Sequence, residues 1–176
     1  MQSSSPKASS SVLAAEYLRE LEAEAAATRA CLENVPMEKA DWKPHDKSMP
    51  LGYLAAMIAE MPKWIQYTIE KGEIDFGSFD HEKIETTHQL VAAFDINMAA
   101  VRDALKSVTD EGLKETFSLK NKGKLLMSLP KDESVSQSIN HLVHHRGQLT
   151  VYLRLNDIPV PSIYGPSADD KAGFEF

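Results

Sequence analysis

The chain has 176 residues, 43% hydrophobic and 26% charged, the ordinary balance of one globular domain with a real core. Its net charge of -7 opposes a general nucleic-acid binder, which needs a basic footprint, and a single cysteine, Cys31, excludes an intrachain disulfide. No run approaches the roughly 18 apolar residues of a membrane span, and the opening MQSSSPKASSS lacks a charged-then-apolar leader, so a cytoplasmic protein without membrane contact is expected.

Residues 1 to 8 read as a loosely held lead, and 9–176 as a single helical domain with a packed C-terminal tail. Ser9, Ser10 and Ser11 offer N-caps for a first helix. Leu18, Leu21, Ala25, Thr28, Leu32 and Val35 then share one face, Glu16, Arg19, Glu20 and Glu24 the other, and Pro36 stops the run. Cys31 lies in this pattern without an activating neighbour and reads as a small packed side chain. Residues 36–50, with Trp42 and His45, form a loop. Ser48 is placed to cap a second helix that has Pro50 in its first turn. Leu51, Leu54, Ile58, Met61 and Ile65 mark its buried face, Pro62 should kink it, and Gly72 should stop it. On the same wheel Glu60 falls almost opposite that face and should be exposed.

Glu73 to Glu82 reads as a loop rich in Asp and Gly. A third helix covers Thr86 to Val108, its stripe interrupted by Asn97. Glu115 to Leu129 alternates weakly around Asn121-Lys122-Gly123, the pattern of a short β-hairpin. Pro130 and Asp132 open the fourth helix, with Val135, Ile139, Leu142, Leu149 and Leu153 on its core face, and prolines at 159, 161 and 166 end regular structure. The fold class is therefore all-α: a four-helix bundle with long connections that can fold over one end and help to build a pocket.

His141 and His145 are four residues apart, so a helix sets their imidazoles side by side on the flank of the core face, while His144 points to solvent. This spacing has two readings. One is a pair of metal ligands, as on H-E-x-x-H helices, which would need a third ligand from another helix. The other is two polar-tipped side chains at a helix seam, hydrogen-bonded to their neighbours.

The run His141-Leu142-Val143-His144-His145-Arg146-Gly147-Gln148-Leu149, continuing to Pro161, resembles the fourth helix of the DinB/YfiT-like proteins. Trp42-Lys43-Pro44-His45-Asp46-Lys47-Ser48, Ile58-Ala59-Glu60-Met61-Pro62-Lys63-Trp64 and Tyr164-Gly165-Pro166 are similar to segments of the same family, so the resemblance runs through most of the chain. It implies a four-helix bundle, commonly a homodimer, with a three-histidine site for a divalent metal such as Zn or Ni, two of whose ligands match His141 and His145. Some members of the wider superfamily transfer or hydrolyse low-molecular-weight thiol adducts.

The resemblance places the remaining histidine on the second helix, where Met57 stands in Leu54-Ala55-Ala56-Met57-Ile58-Ala59-Glu60. A thioether is a soft neutral ligand, suited to Cu(I) and poor for Zn or Ni beside imidazoles. That helix contains no His, Asp or Cys. His45 is the most plausible substitute, although a loop histidine that positions a neighbour is the plainer reading; His81 and His88 read as surface residues. Two outcomes are expected: weak metal binding by His141 and His145, with or without His45, or a vacant pocket lined by Met57, Trp64, His141, His145, Gln148 and Tyr152. Weakened or lost metal binding is the favoured one. Arg146 can hold an anionic substrate group or form a structural ion pair, and Gln148 lies on the histidine side, where it can orient a ligand. The functions compatible with these residues are a metal-dependent thiol transferase or hydrolase and a non-catalytic bundle that binds a small molecule or serves as a dimeric interaction module. A DNA-binding role is opposed by the acidic charge.

Overall fold

A computed structural model of the chain describes residues 11–170. The expected lead over residues 1–8, the capping candidates Ser9 and Ser10, and the last six residues of the tail lie outside that range. The elements, in order, are α1 (Val12–Glu33), a 3-10 turn at Met37–Lys39, α2 (Leu51–Glu70), β1 (Glu73–Asp75), α3 (Thr87–Ser107), the short α4 (Asp110–Lys114), β2 (Thr116–Asn121), β3 (Lys124–Pro130) and α5 (Lys131–Leu155). The four long helices form the bundle: α2 packs against α3 and α5, and α1 closes the ring against the same two. None of the described helices is long and apolar enough to cross a membrane.

The helix starts follow from local chemistry. Ser11 caps α1 by accepting the Ala14 N–H at 3.0 Å. Thr86 and Gln89 form a reciprocal capping box at α3, each side chain bonding the other's backbone N–H. Helix α2 begins differently from the expectation, because Ser48 does not cap it. The Ser48 N–H donates to the His45 carbonyl, while the first-turn N–H groups of Leu51 and Gly52 donate to the Trp42 and Ala40 carbonyls at 2.8 and 2.9 Å. The preceding loop thus satisfies the helix end that a side chain would otherwise serve. Only glycine permits this approach, since a Cβ at Gly52 would stand 2.7 Å from the Ala40 Cβ. Gly72, at φ +67°, turns the chain out of α2 as expected.

Helix α2 runs continuously through Pro62, which is itself buried. Proline cannot donate to the Ile58 carbonyl, and its ring crowds that turn. In the same turn Ala59 offers its carbonyl to Asn97 Nδ2 at 3.0 Å. This bond explains why the α3 stripe tolerates a buried asparagine: its amide ties α3 to the proline turn of α2.

The expected hairpin is present as β2 and β3, antiparallel, closed by Lys122 (φ 50°) and Gly123 (φ 79°). Two consecutive positive φ angles are the signature of the two-residue turn that matches strand twist. Glu73–Asp75, read from the sequence as loop, is a third strand paired parallel to β2. The Asp75 carboxylate accepts the N–H groups of Gly77, Lys122 and Gly123, at 2.8, 2.7 and 2.7 Å, which locks the hairpin turn to the chain leaving α2. The sheet therefore covers the same end of the bundle at which α2 finishes and α5 begins.

The described part of the tail, residues 157–170, is tied to α1 and α5 by hydrogen bonds. Asp169 bonds the Arg154 guanidinium and the Val160 N–H, and Tyr164 reaches Glu24 on α1. Beneath it lies Arg146, 1% exposed. Its guanidinium donates to Glu24 O, Thr28 Oγ1 and Tyr164 Oη, and pairs with the Glu24 carboxylate at 2.6 Å. The structural reading of Arg146 is the one realised. Replacing Arg146 by Ala is expected to destabilise the chain by about 3–5 kcal/mol, because the largely buried Glu24 carboxylate then loses the guanidinium it pairs with; a chemical denaturation curve measures it.

Candidate functional site

Both histidines project from the middle of α5. His145 is buried and His141 half-buried. Their Nε2 atoms stand 2.6 Å apart, and His145 Nδ1 lies 2.7 Å from Gln148 Oε1. The amide oxygen can only accept, so Nδ1 of His145 carries a proton and, in the neutral ring, Nε2 does not. His141 Nε2–H then donates to His145 Nε2, leaving His141 Nδ1 as the free acceptor. Burial holds both imidazoles below the ordinary histidine range; His141 is lowered further by His145 and His144, and His145 by His144 against an opposing bond to Gln148. The result is a hydrogen-bonded imidazole pair in which Gln148 orients the His145 ring.

The donor set does not fit a resident zinc or nickel ion. Among the described residues no three His, Cys, Asp or Glu side chains come together in a way that could hold a metal. His45 is exposed, and its Nδ1 accepts the Lys47 N–H at 3.1 Å, so it positions its own loop. Two nitrogens on one tetrahedral ion, each about 2.0–2.1 Å from it, are separated by roughly 3.3 Å, so the pair would have to open before sharing an ion.

The surroundings divide into two adjoining cavities that share Trp64 and Phe76. The larger, about 520 Å³, contains His141. The smaller, about 440 Å³, contains Met57, Tyr53, Glu60 and His81. His145, Gln148 and Tyr152 line neither, which revises the single pocket expected from sequence. Tyr152 is 8% exposed; its ring stands edge-on to Trp42, with centroids 5.5 Å apart, and its hydroxyl donates to the Met49 carbonyl, so it fixes the loop before α2. Trp64 stands edge-on to His141, with centroids 6.1 Å apart. His144 is exposed at the rim, as expected. Cys31 is buried, and desolvation pushes its thiol up to about 11, which keeps it protonated and inert.

Glu60 corrects the sequence reading. It is 3% exposed, because the segment after β1 covers the helix face that the wheel leaves to solvent. Its carboxylate bonds His81 Nδ1 at 2.9 Å and accepts the Glu82 N–H at 3.2 Å. Nothing local signals this contact, since both partners lie 21 or 22 residues further on. The same is true of Phe117, Leu119 and Met127, which reach the histidine cavity from the sheet.

Two predictions follow from this geometry. The depressed histidines resist protonation in the fold, so below pH 6.5 the unfolded chain takes up protons preferentially. Stability is therefore expected to be flat above that pH and to fall on acidification, and the His141→Asn/His145→Asn double variant should show a shallower acid limb in thermal melts across pH. Glu60→Ala is expected to cost about 1–2 kcal/mol and to speed amide exchange at Glu82 while leaving exchange within α5 unchanged.

A DinB family model matches residues 5–174 of the chain. Over 164 residues, 90% of this chain and 92% of the relative, it is 29% identical to the uncharacterized protein YrdA of Bacillus subtilis strain 168. Among solved structures it is similar to a DinB-like protein of Bacillus subtilis, YjoA, with a TM-score of 0.67, 18% identity, and coverage of 86% of this chain and 99% of that one. A DinB-like protein of Bacillus cereus ATCC 10987 matches with a TM-score of 0.63, 20% identity, and coverage of 84% and 95%. At these identities the structural matches establish the fold: a helical bundle with a short strand segment.

Proposed function

Because this chain belongs to the DinB family, we propose that it is a small-molecule-binding bundle whose histidine pair persists from a metal site but no longer holds zinc or nickel by itself. The observation that carries this reading is the donor set: two imidazoles bonded to each other and to Gln148, with Met57 where the resemblance expects a third histidine. Two protein ligands leave half of a tetrahedral sphere to solvent, and a thioether adds little for either ion. The role left to His141, which lines the larger cavity while His145 braces it from behind, is hydrogen bonding at the edge of an apolar cavity, the common form of a small-molecule site. The homodimer implied by the resemblance is carried in the same proposal and is read by light scattering of the purified chain.

A metal-dependent transferase or hydrolase of thiol adducts is the second reading. What favours it is the convergence of two Nε2 atoms with Gln148 orienting one ring, as a supporting residue does at a metal centre. Metal content measured by mass spectrometry separates the two. The unaltered protein is expected to carry far less than one zinc or nickel per chain, and Met57→His to approach one. Tight stoichiometric metal in the unaltered protein would overturn the first reading and favour the enzyme.

A further inference from the structure

The larger cavity has a chemistry of its own. Its sheet side is apolar, with Phe117, Leu119 and Met127 facing the shared wall of Trp64 and Phe76. Its helix side is polar and uncharged, with Ser138, Asn140 and His141 at one edge. Among the described residues no Asp, Glu, Lys or Arg lines it, and its titratable groups are the imidazoles of His141 and His144. The buried ammonium of Lys131, at the start of α5, is already committed to the Ile69 carbonyl at 3.0 Å and to the Glu115 carboxylate at 2.6 Å. The buried guanidinium of Arg146 is likewise committed, to Glu24, Thr28 and Tyr164. An anion entering the cavity would lose hydration with no countercharge to replace it. Trp64, whose ring belongs to both cavities, has an indole Nε1 that is itself buried and finds no acceptor among the described residues.

Resting on the reading of this chain as a ligand-binding bundle, we propose that the cavity takes an uncharged, ring-containing small molecule that carries a hydroxyl or carbonyl oxygen, and that it rejects anionic thiol adducts. The ring packs between the sheet residues and Trp64. The oxygen faces the polar edge at Ser138, Asn140 and His141. The volume, about 520 Å³, suits a molecule of two or three fused rings.

The test compares three probes by isothermal titration calorimetry at pH 8, where a histidine of ordinary pKa is neutral. They are 2-naphthol, 2-naphthoate and S-benzylglutathione. The neutral naphthol is expected to bind at least about tenfold more tightly than its carboxylate counterpart, and S-benzylglutathione is expected not to bind. Ser138→Phe should fill the space and abolish naphthol binding. Met127→Lys, at a partly exposed strand position that tolerates a long polar side chain, should raise the affinity for naphthoate. Circular dichroism confirms the fold of each variant. Equal or tighter binding of either anion by the unaltered protein would overturn the proposed ligand class and leave the binding bundle standing. Naphthol affinity untouched by a folded Ser138→Phe would place the ligand elsewhere and overturn the assignment of this cavity. Failure of all three probes with the folded, unaltered protein would remove the binding reading itself.

Discussion

A buried guanidinium sets the rotation of α5, and most of the site depends on that. Arg146 spans from α5 to Glu24 and Thr28 on α1 and is closed over by Tyr164 from the tail. Successive helical side chains are about 100° apart, so fixing Arg146 against α1 fixes the directions of every neighbour. His145, one residue earlier, and His141, one turn before that, are thereby held beside one another with their Nε2 atoms converging. The clamp at the start of α5, where Lys131 bonds the end of α2 and Glu115, sets the helix's height as Arg146 sets its angle.

With α5 fixed, the character of the site is decided by what faces it. Helix α2 contributes Met57 and Trp64, and neither supplies a hard ligand. The sheet contributes aromatic and aliphatic side chains. Two imidazoles in such surroundings are driven toward their neutral forms by desolvation, and they satisfy each other and Gln148 by hydrogen bonds. The His141 Nε2–H and the His145 Nδ1–H each find an acceptor within α5. Glu60, the one buried carboxylate near the second cavity, is occupied in holding the covering segment through His81 and Glu82.

The bundle was legible because each long helix carries its own evidence: a 3-4 stripe, a capping residue or a terminal glycine. Ser11 and Gly72 occupy the roles that their chemistry assigns. The hairpin was legible from its turn, where Gly123 permits a positive φ at low cost. Strand β1 was not, since three residues show no periodicity and its partner lies more than forty residues away. Ser48 failed as a cap because the backbone carbonyls of Trp42 and Ala40 accept the first-turn N–H groups of Leu51 and Gly52. Glu60 failed as an exposed residue because a helical wheel cannot foresee a loop that returns over its outer face.

The candidate site divides along the same line. Pairs of residues within one helix are determined by sequence, since a rise of 1.5 Å per residue and 3.6 residues per turn leave no freedom: His141 meets His145, and Gln148 meets His145. Met57 facing this region from the second helix is likewise read from the sequence, and the histidine expected at its position is what the resemblance implies. The tertiary structure alone decided that His45 stays on its own loop, that Tyr152 braces Met49, and that the sheet closes an uncharged cavity around His141. Those outcomes depend on which distant surfaces meet, and the net packing of the whole chain selects them.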